Sequence, residues 1–287
     1  MINGFGAVAK AIDEGRYWLS YLYKPTAPAP GTTGFFIDCN QSSGIPKYNA
    51  FAGSALTATV LTGSGNAGIY TGPDYAGRTK HLQSWNFLSY GTNGAPSHAF
   101  LLDYLMFYPL IDGDDTAEQT LDNTNTLTRY SSGEGVRIIL VSTAPMTLSA
   151  LCTITYTNSE GVSGRAVTFA VGAGLNIGVS LSTAGTSGAA GTETPFVPLA
   201  SGDHGVRSIE SIQLAAATGG IICAILVKPI ADIMSYEVQS STEKIYGIDN
   251  QNLPEIKQGA YLNLLIKRGN GSTNTTAVRS DFVFVNT

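Results

Sequence analysis

Charge is scarce in this chain. Asp, Glu, Lys and Arg make up 13% of its 287 residues, about half the quarter usual in soluble domains. The 16 basic residues are scattered singly and the net charge is −5. A nucleic-acid surface needs Lys and Arg gathered into a stripe that neutralises phosphates, so direct nucleic-acid binding is not expected. Cysteine is scarce too. Cys39, Cys152 and Cys223 share no metal-ligand spacing, and their odd number argues against a disulfide framework. Two of them sit in apolar runs and read as small buried hydrophobes, in keeping with synthesis in a reducing cytoplasm. Long apolar runs are also missing. The most apolar stretch, Ile212 to Val227, is broken by Gln213 and Thr218-Gly219-Gly220 and ends at Lys228-Pro229. It reads as two strands around a glycine turn, because a spanning helix needs about 20 consecutive apolar residues. Met1 to Arg16 holds Lys10, Asp13 and Glu14 and no apolar core, so neither a signal peptide nor a membrane partner is expected.

Signatures of small-molecule chemistry are absent or fail on inspection. There is no P-loop, H-E-x-x-H, paired-cysteine zinc pattern or G-x-S-x-G elbow. Gly63-Ser64-Gly65-Asn66-Ala67-Gly68 matches G-x-G-x-x-G, but that fingerprint works by opening a helix onto a pyrophosphate. Ile69-Tyr70-Thr71-Gly72-Pro73 follows, so the glycines read as a β-turn cluster. Asp112, Asp114, Asp115, Glu118 and Asp122 would supply oxygens for a hard cation. Counted from Asp112, however, the sixth and twelfth EF-hand positions hold Ala117 and Asn123, where glycine and glutamate are required; an acidic loop is expected. The histidines are His81, His98 and His204. His204 lies in the turn sequence Ser201-Gly202-Asp203-His204-Gly205, with no nucleophile signature to partner it. No catalytic, cofactor-binding or metal-binding residue is assigned, and the chain reads as a non-enzyme without cofactors.

What is plentiful is glycine, 33 residues, with Ser, Thr and Asn around it. Short runs of β-branched and aromatic residues recur between these turn signals. Strands are predicted over 34–39, 55–61, 81–90, 136–142, 148–157, 166–171, 175–181, 206–215, 220–227, 261–267 and 281–285. The segment CTITYTNSEGVSGRAVTFAV, Cys152 to Val171, alternates Thr with apolar residues on either side of a turn and is a hairpin. Ala7 to Gly15 places Ala7, Val8, Ala11 and Ile12 on one helical face, and Gly15 ends it. Arg16 to Lys24 reads as the first strand. Pro25, Pro28 and Pro30 then forbid ladder bonding and make an extended arm. Ala99 to Ile111 is apolar throughout, and periodicity does not choose between a buried strand pair and a helix ended by Pro109.

This pattern predicts a mainly β fold, an antiparallel β-sandwich of jelly-roll or Ig-like type. Its expected parts are an N-terminal helix, strand and proline arm (1–34), a first β domain (35–132) and a second sandwich (133–287), divided where composition shifts near Ser131 to Gly133. A surface so poor in charge is made of hydroxyls, amides and exposed apolar atoms, which suits packing against protein. Aromatics concentrate around the arm. Tyr17, Trp18, Tyr21, Phe35 and Phe36, with Pro25, Pro28 and Pro30, are the candidate interface residues, and core packing is the competing reading.

Six stretches together, GRYWLSYLYK (Gly15 to Lys24), LLDYLMFYPLIDGDD (Leu101 to Asp115), TLTRYSSGEGVRI (Thr126 to Ile138), TYTNSEGVSGRA (Thr155 to Ala166), GDHGVRSIESI (Gly202 to Ile212) and GAYLNLLI (Gly259 to Ile266), resemble a family of virion structural proteins of tailed bacteriophages. The resemblance runs over most of the chain. It implies a non-enzymatic structural component of a phage particle, made in the host cytoplasm. With the low charge, the β elements and the proline arm, it points to a capsid decoration or cement protein that bridges major capsid protein subunits and associates with itself, for instance as a trimer. The alternative is a tail, neck or fibre component that binds a receptor or glycan through loops carrying Tyr70 and Tyr75. A β-fold glycan hydrolase is a third reading and needs carboxylates paired in a cleft.

Overall fold

A computed structural model describes residues 5–26, 35–63, 67–90, 97–173, 176–183, 194–237, 240–246, 253–267 and 277–287. Helix α1 (Phe5–Asp13) leads into fifteen strands: β1 (Tyr17–Lys24), β2 (Phe36–Asp38), β3 (Thr59–Val60), β4 (Lys80–Ser89), β5 (Ser97–Asp112), β6 (Gln119–Thr120), β7 (Arg137–Ala144), β8 (Ala150–Asn158), β9 (Arg165–Val171), β10 (Val206–Leu214), β11 (Ile221–Ser235), β12 (Thr242–Ile245), β13 (Glu255–Ile256), β14 (Leu262–Lys267) and β15 (Val278–Asn286). They form three antiparallel sheets with orders β1-β15-β4-β12, β2-β14-β5-β11-β7 and β6-β10-β8-β9; β13 joins the first beside β4 and β3 the second beside β5.

The protein is mainly β, as its alternating runs predict. Eight strands, β1, β2, β4, β5, β11, β12, β14 and β15, carry the topology. In chain order, the first, eighth, third and sixth make one sheet and the second, seventh, fourth and fifth the other. That order is a jelly roll, a sandwich of two interlocked Greek keys. Strands β6 to β10 are inserted between its fourth and fifth strands, and three of them, with β6, build the separate sheet. The composition shift at Ser131 to Gly133 lies inside this insertion, between β6 and β7. Strands from 35–132 and from 133–287 share the six-stranded sheet.

One face of that sheet supports two cores. Ala99 and Leu101 of β5, Ile233 of β11 and Leu262, Leu264 and Ile266 of β14 pack on Leu22, Trp85, Phe87, Phe282 and Phe284 of the first sheet. Further along the same strands, Met106, Tyr108, Leu226 and Ala224 pack on Cys152, Ile154, Ile209 and Ile212 of the inserted sheet. The opposite face carries Phe36, Leu102, Tyr104, Ile139, Ile225 and Leu265, which cluster with Phe51 and Leu61. This explains Ala99 to Ile111. The segment is one sixteen-residue strand, neither a strand pair nor a helix, and it lacks alternation because both faces are buried. Pro109 is accommodated where β5 advances three residues, Tyr108 to Ile111, against two of β11. Leu110 takes φ +59° in this bulge, and the bulge absorbs the missing donor.

Other expectations need correction. Residues 176–181 form no strand: Val179 and Ser180 make single bridges, to Ile37 and Val141, before a 3₁₀ turn at Leu181–Thr183. The glycine turn after Leu214 does separate two strands, but they enter different sheets, and β11 runs on through Pro229 to Ser235. That proline is tolerated because β7 pairs β11 only up to Val227, leaving an edge beyond. The predicted strand over 55–61 shrinks to β3. The hairpin β8–β9 forms as expected, with Asn158 Oδ1 accepting from the N–H groups of Glu160 and Val162 in the turn.

Where the two cores meet, Asp103 of β5 points between Leu101 and Leu105. Its carboxylate takes a bidentate pair from Arg129, at 2.8 and 2.9 Å, and the Tyr261 N–H at 2.9 Å. Arg129 lies in the insertion and also donates to the carbonyls of Leu61 and Tyr104. A buried ion pair therefore joins the insertion to the jelly roll, beside the β7–β11 ladder. Removing one partner of such a pair strands the other. Arg129→Ala should lower stability by about 3–5 kcal/mol, read as a shift of the urea midpoint; a loss below about 1 kcal/mol would show that the pair is dispensable.

Candidate functional site

Strand β1 lies at the edge of its sheet. It pairs with β15 from Tyr17↔Val285 to Lys24↔Val278. The Arg16 carbonyl accepts from Asn286 N–H at 2.9 Å on the β15 side, whereas Tyr23 exchanges both backbone bonds with Ile45 at 2.7 and 2.8 Å on the opposite side. Strand periodicity then turns the N–H and C=O groups of Tyr17, Leu19 and Tyr21 outward. Among the described residues nothing pairs with them.

Side chains divide by the same period. Leu22 and Lys24 face the core and are fully buried. Tyr17, Leu19, Tyr21 and Tyr23 form a row on the outer face, all exposed, Leu19 the most at 67%. Trp18, on the inner side, stands edge-on to Tyr70 with ring centroids 5.3 Å apart. Gly72, at φ +79°, passes so close that a Cβ there would lie 2.6 Å from the Trp18 Cβ and Cγ. Along the open edge runs a groove of about 470 Å³ lined by Trp18, Ser20, Tyr21, Ile45, Lys47 and Tyr70.

The end of this groove is fastened from beneath. Lys24 Nζ donates to the carbonyls of Ser42 and Pro46, and burial lowers its pKa, partly countered by Cys39 and Asp38. Asp38 is also fully buried. Burial pushes its pKa up to about 6, against hydrogen bonds to Oδ1 from Asn40 and Tyr104, and Oδ2 has no partner among the described residues.

The sequence-predicted interface residues separate. Tyr17, Trp18 and Tyr21 come together on the β1 edge, and Pro25 is exposed just beyond it. Phe35 is half-buried. Phe36 belongs to the core, against Phe100 and beneath Lys267, because its strand β2 is buried on both faces; the interface assignment does not extend to it. Pro28 and Pro30 lie outside the described residues. Sequence reasoning missed Leu19, Ile45 and Lys47. Leu19 sits at odd spacing with Tyr17 and Tyr21, a legible signal; Ile45 and Lys47 reach the groove only through the fold.

Other candidates disperse. The acidic loop uses its carboxylates on its own turns: Asp112 Oδ1 accepts from Asp114 N–H, Asp115 Oδ1 from Ala117 N–H, and Asp114 Oδ1 from Gly219 N–H. Asp203 does not serve His204. Burial opposes its charge, but hydrogen bonds from Tyr156, Asn158 and Arg165 outweigh that and hold its pKa at about 2. Tyr75 lines a separate polar groove of about 490 Å³ with Arg78, Lys80, Glu255 and Lys257.

No family model matches the chain, and no curated protein matches it. A solved structure of infectious bursal disease virus, Gt strain, aligns over 94% of this chain and 81% of that one, at 9% identity and a TM-score of 0.19. A likeness that slight carries no argument.

Two outcomes check this geometry. Gly72→Ala should cost about 1–3 kcal/mol and alter the Trp18 emission, since a left-handed backbone and an indole both oppose the methyl; unchanged emission and stability would contradict the packing. For Asp38, a carboxyl whose pKa is higher in the folded state gives stability below its unfolded value of 3.8 that is lost as pH rises through about 6. Asp38→Asn keeps the Oδ1 acceptor and should gain about 2–3 kcal/mol on the native protein between pH 4 and 7.5, measured by urea unfolding at both.

Proposed function

We propose that this chain is a non-enzymatic structural component of a bacteriophage particle, a capsid decoration or cement protein that bridges major capsid protein subunits and associates with itself. The observation that carries the reading is the β1 edge: three residues whose outward backbone donors and acceptors pair with no described residue, flanked by an exposed Tyr-Leu-Tyr-Tyr row and a groove. Soluble proteins guard such edges with charge, proline or a cover. None of the residues from Tyr17 to Tyr23 is charged or proline, so the edge is a contact surface. The sequence resemblance to phage virion proteins gives the setting, and the jelly roll agrees by analogy, since viral capsid domains use it. Many weak contacts of this kind, repeated over a shell, add up to strong attachment.

The second reading, a tail or fibre component that binds a glycan, is favoured by the polar groove around Tyr75, Arg78 and Glu255, and lectin domains also use jelly rolls. The two separate by stoichiometry. In purified particles that contain the chain, the proposal expects copies in fixed ratio to the shell protein, at symmetry-related positions in a cryo-electron reconstruction. A handful of copies at one vertex or along the tail, with adsorption lost in Tyr75→Ala and assembly intact, would favour the second.

A further inference from the structure

We infer that β1 pairs antiparallel with β1 of a second copy about a two-fold axis at Leu19, joining the two β1-β15-β4-β12 sheets into one continuous sheet. This rests on the self-association proposed above and names its geometry.

The hydrogen-bonding edge is complementary to itself. An antiparallel edge turned about a perpendicular two-fold presents acceptor to donor at every rung, the self-matching condition of an isologous contact. The window is bounded at both ends. Ile45 already occupies the rung opposite Tyr23, and Gly15, at φ +69°, turns the chain away before Tyr17. Outward groups lie only at odd positions. The register that pairs Leu19 with the second copy's Leu19, and Tyr17 with its Tyr21, uses all three rungs. Shifting by two residues toward Tyr23 runs into Ile45, and shifting the other way leaves Tyr21 opposite Gly15.

Side chains fit the same register. On the outer face, tyrosines meet tyrosines beside the central leucines, and cross-strand aromatic and apolar pairs of this kind stabilise sheets. On the inner side Trp18 falls opposite the second copy's Ser20, a large residue against a small one. The groove beside Ser20, about 470 Å³ and bounded by Ile45 and Tyr70, gives that indole room. Charge raises no obstacle. The ionised outer-face neighbours on β15, Arg279 and Asp281, are bonded to each other and stand opposite Tyr23 and Tyr21. The two-fold carries the copies of Asp281 to opposite ends of the junction, so no like charges meet.

Sedimentation of the full chain tests this. Leu19→Pro removes one outward N–H for which no described residue of the monomer is an acceptor, and proline is tolerated on an edge strand. The expected result is a dimer for the native chain and a monomer for Leu19→Pro that keeps the native circular dichroism and unfolds cooperatively, its thermal midpoint no longer dependent on concentration. A native monomer, or a dimer indifferent to Leu19→Pro, overturns the inference. Should the proline variant fail to fold, Leu19→Cys decides. Directly opposed, hydrogen-bonded residues lie about 5.5 Å apart at Cα, within disulfide range, so Leu19→Cys should cross-link under mild oxidation faster than Leu151→Cys, another exposed strand site. Equal rates overturn the inference. A native chain that is monomeric alone, yet attaches to particles and loses attachment in Leu19→Pro, assigns the edge to a strand of the shell protein and also overturns it. Dimers that never join particles leave the pairing standing and sink the decoration role instead.

Discussion

The structure depends on one ribbon. Strands β5 and β11 run antiparallel from Ser97↔Ser235 to Asp112↔Ile221, longer than either core requires. Half of the ribbon completes the jelly roll and half is the platform for the inserted sheet, so both units are built on one set of backbone hydrogen bonds. Because side chains on successive positions point to opposite faces, and both faces are covered, Leu101 to Pro109 of β5 are buried without a break. Bulges let the ribbon turn past Pro109 and Pro229 without losing its partner.

Burying that ribbon puts polar groups where water does not reach, and each needs a partner. Asp103 and Arg129 resolve the central case by joining the two cores through a bidentate pair. Tyr261, Asn40, Asn49 and Asn263 form a second network on the same sheet. Asp38 is an exception, a fully buried carboxyl with one oxygen unpartnered among the described residues, as are the Gln41 Oε1, His81 Nε2, Ser89 Oγ and Tyr246 OH. Specific networks of this sort fix the register of the strands, because a shift by one residue would orphan every member.

The periphery follows a different rule. The insertion covers part of the central sheet, and helix α1 sets Val8 and Ala11 against Val285 at one end of the outer sheet. Strand β1 carries tyrosines and a leucine exposed on its outer face. Among the described residues no segment pairs with the outward groups of Tyr17, Leu19 and Tyr21, and the proposed association uses that edge.

Local pattern was enough for the elements: alternating runs between glycine-rich turns specified most strands, the amphipathic face of residues 7–12 specified the helix, and the Thr-alternating hairpin specified β8 and β9. These are short-range properties of backbone stereochemistry and side-chain period, written residue by residue. The tertiary structure alone decided that the chain is a jelly roll with an insertion, since the order 1-8-3-6 and 2-7-4-5 pairs strands hundreds of residues apart. It alone decided the state of Ala99 to Ile111, whose uniform apolarity reflects two covered faces. It also parted the aromatics around the arm, sending Phe36 into the core and leaving Tyr17 and Tyr21, with Leu19, exposed on an edge strand. The reason is common to all three: burial and pairing are set by which distant segment comes to lie alongside, and a local window of sequence carries no record of that neighbour.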